Sequence, residues 1–220
     1  MSHPASSSNI TDFPEAHINT PSYVSHPLEE PVPHIRDLIT SLGLIKHPEG
    51  GYYSETDRSP FTMEVGETSM LTGETSEKVV SRNYSTLIYY LLSADSPVGK
   101  MHKNKNRIIH ILQKGRGQYV LVHPDGRVQS FIVGFDYEKG EVSQWVVPGG
   151  VYKASFVLPL PGQDQSDAEL LISEVVVPGF DFVDHEFMPD CATLHELVGP
   201  QAASLEFLVR GKSNGPVLVD

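Results

Sequence analysis

The chain has 220 residues, 39 % of them hydrophobic, and 16 lysines and arginines stand against 28 aspartates and glutamates, a net charge of −12. A chain of this length can bury roughly 70 % of its unfolded surface in one domain, while its charge excludes general phosphate-backbone binding and a polybasic membrane anchor, which both need a cationic surface. The single cysteine, Cys191, cannot form an internal disulfide, no run approaches a transmembrane helix, and the opening MSHPASSSNI lacks the basic-then-apolar order of a secretory leader; a reducing, cytoplasmic setting with no membrane and no nucleic-acid partner is the expectation.

Residues 1–33 are rich in Ser, Pro, His and acidic residues. Such a segment cannot offset its ordering entropy by burial and reads as a flexible tail. Ile35, Leu38, Ile39 and Leu42 recur at helical spacing, with Gly43 where a C-terminal cap belongs. This short amphipathic helix opens a single domain over residues 34–210, and 211–220 reads as a second flexible tail. Residues 51–57 (GYYSETD) read as a strand and 60–78 as a long polar loop. Residues 82–92 (RNYSTLIYYLL), rich in β-branched and aromatic types, read as a strand. Further strands are expected near 99–104, 107–113, 117–123, 127–134, 143–147, 151–158 and 169–177. The breaks carry turn residues, among them Pro124-Asp125-Gly126, Lys139-Gly140, Pro148-Gly149-Gly150 and Pro161-Gly162. Residues 190–209 read as helical, interrupted at Gly199-Pro200. Turn signals this frequent, without βαβ alternation, predict an all-β barrel or jelly roll with short flanking helices, whose mouth is a natural ligand site.

No phosphate loop, nucleophile elbow or zinc-protease helix is present. His3, His17, His26 and His34 fall in or beside the tail, His123 stands at a turn, and His185 and His195 read as surface or cap residues. His102 and His110 remain, in the run GKMHKNKNRIIHILQKGRG. Alternate residues of a strand share a face. His102 and Asn104 share one parity, which Ile108, His110 and Leu112 continue past a bend near 105–106. Either two imidazoles enter one cavity, or each is a hydrogen-bonded wall residue. Tyr53 and Glu55 share a parity, and so do Tyr119 and Leu121. The strand over 82–92 offers the interior either Tyr84, Thr86, Ile88 and Tyr90 or Ser85, Leu87 and Tyr89. Glu174 lies between Ile172 and Val176 on an otherwise apolar face, where an unpaired carboxylate is costly. It faces water, or it meets Lys153, His102 or His110.

These residues resemble the cupin superfamily. Its first motif, G-x5-H-x-H-x(3,4)-E-x6-G, reads here as His102, Asn104, Ile108 and Gly115. Its second, G-x5-P-x-G-x2-H-x3-N, is matched by Pro148 and Gly150, with Lys153 at the histidine position and Val157 at the asparagine position. HPEGGYYSET (47–56), STLIYYLL (85–92), VVPGG (146–150) and VPGFDF (177–182) are similar to segments of an uncharacterised group of small single-domain cupins, over about residues 35–200. The resemblance implies a double-stranded β-helix like that of nucleotide-sugar 3,5-epimerases. Metal-binding cupins hold their ion with two or three histidines and a glutamate. At those positions only His102 survives, Ile108 has no donor atom and Lys153 repels a divalent ion, so neither metal nor other cofactor is expected.

By resemblance to the epimerases, His102 or His110 is the general base and Tyr53 or Tyr90 the proton donor, because a base suited to neutral pH is what abstraction beside a carbonyl needs. Glu55, Thr86, Asn104, Tyr119, Lys153 and Glu174 then bind a small polar or carbohydrate-like ligand. A binding module without catalysis and a metal-dependent enzyme are the alternatives. The resemblance also implies a two-fold homodimer, with strands 131–133 and 143–147, including Trp145, as its apolar outer face.

Overall fold

Alternating side chains and short turns generate a stack of two antiparallel sheets. The computed structural model describes residues 16–18, 20–68 and 75–211. In chain order it has α1 (Ser22–Ser25), α2 (Pro33–Ser41), β1 (Ile45–Lys46), β2 (Tyr52–Arg58), β3 (Thr62–Thr68), β4 (Thr75–Asn83), β5 (Thr86–Ser93), β6 (Val98–Asn104), β7 (Arg107–Gly115), β8 (Gly117–Val122), β9 (Val128–Val133), β10 (Gln144–Val147), β11 (Tyr152–Val157), β12 (Glu169–Val177), β13 (His185–Phe187) and α3 (Cys191–Val198). Single turns of 3₁₀ helix follow α3 over Gly199–Ser204 and Glu206–Leu208. One sheet has the order β1-β2-β5-β12-β7-β10, the other β13-β6-β11-β8-β9, and β3 and β4 form a separate ribbon. This is the jelly roll that the turn spacing predicts.

Strand parity divides the core into three layers. Leu92, Leu112, Tyr119, Leu121, Phe131, Trp145, Leu170 and Ile172 meet between the sheets. Their neighbours Val120, Val122, Tyr152, Ala154 and Phe156 point the other way, beneath Leu194, Ala202, Leu205 and Leu208 of the C-terminal helical segment. Tyr52, Leu91 and Leu171 lie on the outside of the larger sheet beneath Ile35 and Leu44. Covering both outer faces explains why β8 and β11 are buried at every position and read as continuous rather than alternating apolar runs. Asp190 caps α3 by accepting the Thr193 N–H at 2.8 Å. Asp190→Ala is expected to cost about 1 kcal/mol, seen as a lower urea midpoint with an unchanged slope.

Several expectations are corrected. The expected loop over 60–78 contains all of β3 and the start of β4, paired from Thr62 with Asn83 to Thr68 with Thr75. Of the described apolar residues there, Phe61, Met63 and Val79 are exposed, so no run of buried apolar residues imposes a period on the sequence. The strand over 82–92 is interrupted, β4 ending at Asn83 and β5 starting at Thr86.

The tail over 1–33 is not free along its length. The Tyr23 side chain is buried and its hydroxyl donates to the Val157 carbonyl at 2.8 Å, and the Ala16 N–H donates to Ser130 O. Residues 1–15 of that tail and 212–220 of the C-terminal one lie outside the described residues. Trp145 is 3 % exposed and belongs to the inner core, so it cannot furnish an outer face for self-association. No helix among the described residues is long and apolar enough to cross a membrane.

Candidate functional site

The register of the two sheets sets opposite charges across one end of the barrel. On the larger sheet Glu174 of β12 stands beside His110 of β7 and Ile88 of β5. On the smaller one Lys153 of β11 stands beside His102 of β6. The Lys153 ammonium donates to Glu174 Oε2 at 2.8 Å and to His110 Nε2 at 2.9 Å. An imidazole nitrogen that accepts from an ammonium carries no proton, so His110 is neutral. Burial and the Lys153 charge hold its pKa well below the usual histidine range. Its ring stacks on Trp145 with centroids 4.9 Å apart. Glu174 therefore meets Lys153, and His110 at 3.5 Å, which resolves the alternatives open to it.

A second cluster is built by the turn that precedes β2. Gly50 and Gly51 have φ of 103° and 71°, in the region glycine alone adopts freely. A Cβ on Gly50 would fall on the Val98 carbonyl oxygen and one on Gly51 on that of Leu91. The two glycines thus let the turn lie directly on β6 and β5, where the Lys100 N–H donates to Glu49 O at 2.7 Å. The Glu49 side chain enters the barrel mouth. Its Oε1 stands 2.8 Å from His185 Nε2 and 3.2 Å from His102 Nε2.

His185 arrives on β13, paired with Asn104 at the sheet edge, and stacks on His102 at 4.9 Å. His102 Nδ1 donates to the Lys100 carbonyl at 2.8 Å, which leaves Nε2 as the lone-pair nitrogen of the neutral ring. Burial outweighs the attraction of Glu49 and pushes the His102 pKa down to about 3. Burial acts in the opposite sense on Glu49, but His102, His47 and the His185 hydrogen bond together hold its carboxyl well below the usual range. His47 Nδ1 accepts the Glu49 N–H at 3.2 Å, so the neutral ring carries its proton on Nε2.

Above these clusters opens a cavity of about 430 Å³, within the range of small-molecule sites. Of the expected residues, Tyr53, Glu55, Thr86, Tyr90, His102, Asn104 and Glu174 line it. Thr86, Ile88 and Tyr90 are the inward set of β5; Tyr84 is 51 % exposed and is not part of it. Glu55 is paired at the rim with Arg58, 2.7 Å away. The Asn104 amide oxygen is buried without a hydrogen-bond partner. The Tyr90 hydroxyl donates to the Gly50 carbonyl at 2.9 Å, and burial raises its pKa well above the usual value. It anchors the turn rather than standing free as an acid. His110, Tyr119 and Lys153 are not among the residues lining the main cavity; Tyr119 and Lys153 border a void of about 10 Å³ shared with Glu49, Tyr90, His102 and Glu174.

Sequence reasoning misses Glu49, His47 and His185. His185 is not a surface or cap residue but a member of the Glu49 cluster. The signal for Glu49 was the His-Pro-Glu-Gly-Gly run, where two glycines after an acid mark a turn forced into close backbone contact. His185 lies 136 positions from Glu49, on a strand of three residues, and carries no comparable signal. Glu49, His102 and His185 present one ligand atom each within 4.8 Å of one another. This donor set does not use Asn104, Ile108 or Lys153, the positions at which a cupin cage is sought.

A family model described as "Cupin superfamily (DUF985)" matches residues 36–188, a span that includes Glu49, His102, Lys153, Glu174 and His185. The chain is similar to Uncharacterized protein YML079W of Saccharomyces cerevisiae, 59 % identical over 203 residues, 92 % of this chain and 99 % of that protein. Among solved structures it is similar to a hypothetical protein from Leishmania major, with 28 % identity and a TM-score of 0.66 over 80 % of this chain and 98 % of that one. Protein SO0799 from Shewanella oneidensis is 26 % identical, with a TM-score of 0.62 over 80 % of this chain and 97 % of that one.

Proposed function

The chain belongs to the cupin superfamily, in the family DUF985, and on that premise we propose that it is an enzyme of the isomerase or epimerase kind, acting on a small, uncharged, polyhydroxylated carbonyl compound. The observation that carries this reading is the cavity of about 430 Å³ whose floor sets Glu174, fixed by Lys153, opposite Glu49 and His102. Buried titratable groups converging on one cleft are a recurrent mark of reaction centres.

The charge balance supports the ligand class. Glu49, Glu55, Glu174 and Asp181 line the cavity against Arg58, with Lys153 beneath. That surplus of carboxylates repels phosphate and favours neutral hydroxyl groups, as does the unpartnered Asn104 oxygen. Phe180 and Phe182 at the mouth supply an apolar wall for one face of a ring.

In the reaction, the C–H bond beside the substrate carbonyl breaks. The proton passes to a Glu174 oxygen and the electron pair moves onto the carbonyl oxygen, giving an enediolate. Return of the proton from Glu174 to the neighbouring carbon, with the hydroxyl proton there passing to the former carbonyl oxygen, gives the isomer; a proton taken from solvent on the other face, with Glu174 releasing to solvent the one it holds, gives the epimer. His102, whose Nδ1 is held by the Lys100 carbonyl and whose Nε2 is turned to Glu49, helps to build the wall opposite Glu174 and is not the base. The His47 Nε2–H is a fixed donor for the developing oxyanion.

A panel of aldoses, ketoses and sugar acids incubated with the protein in heavy water tests this. Deuterium is expected at the carbon beside the carbonyl of at least one of them, and Glu174→Gln should slow its uptake by 10²-fold or more, a size ordinary for a lost general base, ~10²–10⁴. A ligand that raises the melting temperature and is recovered without deuterium or rearrangement would replace catalysis by simple binding.

A further inference from the structure

We propose that Glu49, His102 and His185 form a binding site for one divalent first-row transition cation, held by a carboxylate oxygen and two imidazole nitrogens. With Nδ1 committed as donor to the Lys100 carbonyl at 2.8 Å, His102 has Nε2 alone to offer a ligand, and that nitrogen stands 3.2 Å from Glu49 Oε1. Both are atoms of the kinds that hold a transition cation, and with a ring nitrogen of His185 they lie within 4.8 Å of one another. Charge points the same way. The ion-pair partners of Glu49 among the described residues are His47, His102 and His185, and none of these is a permanent cation. The nearby ammonium of Lys153 is held by Glu174 and His110. A buried carboxylate, 11 % exposed at its side chain, thus lacks the fixed positive charge that such burial requires.

Ligand atoms each about 2.1 Å from an ion stand ~3.0 Å apart at right angles and ~3.4 Å apart at the tetrahedral angle zinc prefers. The Glu49–His185 and Glu49–His102 separations of 2.8 and 3.2 Å lie close to the first and within a small side-chain movement of the second. The surroundings match what metal sites need: an Nδ1–H donated to a backbone carbonyl fixes the tautomer and aims Nε2 inward. Two nitrogens and one carboxylate suit zinc, iron, cobalt or nickel better than magnesium or calcium, which prefer all-oxygen cages. Glu49 and His102 line the main cavity, so an ion on them is open to a ligand there. The proposal deepens the isomerase reading by giving the carbonyl a Lewis acid, and rests on that reading only for its use in turnover.

The test is uptake of the metal alone. Protein prepared without an affinity tag is stripped with chelator and titrated calorimetrically with Zn²⁺ and with Co²⁺, the latter also followed by its visible absorption. One ion per chain is expected. Glu49→Gln and His185→Gln should each weaken binding at least ~10-fold, while His195→Gln, which alters an exposed His–Glu pair, leaves it unchanged. Should either variant fail to fold, X-ray absorption at the zinc edge of the wild-type complex reads the same point, with two imidazole nitrogens expected at about 2.0–2.1 Å. No stoichiometric uptake by the wild type, equal affinity in folded Glu49→Gln and His185→Gln, or a zinc spectrum without imidazole overturns the site. Uptake without deuterium exchange in the sugar panel keeps the site and removes the isomerase. Exchange without uptake does the reverse.

Discussion

Lys153→Met is expected to lower folding stability by about 3–5 kcal/mol, the usual cost of removing one partner from a buried ion pair. Lys153 is 3 % exposed and Glu174 7 %, and the ammonium satisfies both the Glu174 carboxylate and the lone pair of His110 Nε2. Methionine fills nearly the same volume, so the loss measures the missing charge and hydrogen bonds rather than a cavity. The double variant Lys153→Met, Glu174→Gln should recover most of the loss, because it removes the buried carboxylate that Lys153 neutralises. Urea unfolding with a common slope reads both values. A single variant within 1 kcal/mol of wild type would mean that the carboxylate finds water or another partner, and that Lys153 is not what holds it.

Gly50→Ala is the second large effect, at about 3 kcal/mol. Part of it is the left-handed backbone, φ 103°, which costs a side-chain-bearing residue ~1–2 kcal/mol. The rest, ~1–3 kcal/mol, is overpacking, since the new methyl would meet the Val98 carbonyl oxygen and backbone cannot swing aside as a long side chain does. Gly43→Ala separates the two contributions. Gly43 has φ 61° with nothing within 4 Å of an added Cβ, so it bears only the conformational part. Equal losses at the two positions, measured by chemical denaturation, would show that the close approach to β6 is not what the glycine serves. The same turn delivers Glu49 to the proposed metal site. A folded Gly50→Ala protein should take up Co²⁺ more weakly than wild type.

Much of the fold was legible because its signals are local. Alternation in Tyr119–Leu121 against Val120–Val122 states which residues share a face, and Pro124-Asp125-Gly126 or Pro148-Gly149-Gly150 states where a strand must stop. Strand boundaries from β6 to β12 accordingly fall within a residue or two of expectation. Alternation does not say which face is the inside. For β5 it left Thr86, Ile88 and Tyr90 equal to Leu87 and Tyr89, and the packing of α2 against Leu91 and its neighbours decided between them. The ribbon of β3 and β4 was illegible because Met63 and Val79, among its described apolar residues, are exposed, and Trp145 was misplaced because a short strand flanked by polar residues reads the same from either side.

The candidate site divides along the same line. Local pattern by itself determined that His102 and Asn104 share a face with His110, and that Tyr53 shares one with Glu55 and Thr86 with Tyr90, because a pleated strand turns every second side chain to the same side. Which of these touch was decided by register between strands far apart in the chain. Lys153 closes onto His110 and Glu174 through the pairing of β11 with β6 and of β12 with β7, so His110 serves the floor and not the cavity. Glu49 and His185 meet across 136 positions through a glycine turn laid on strands of both sheets and a three-residue strand added to the edge of the smaller one. Such a contact leaves no periodicity in the sequence, since its energy comes from complementary groups brought together only after both sheets have formed.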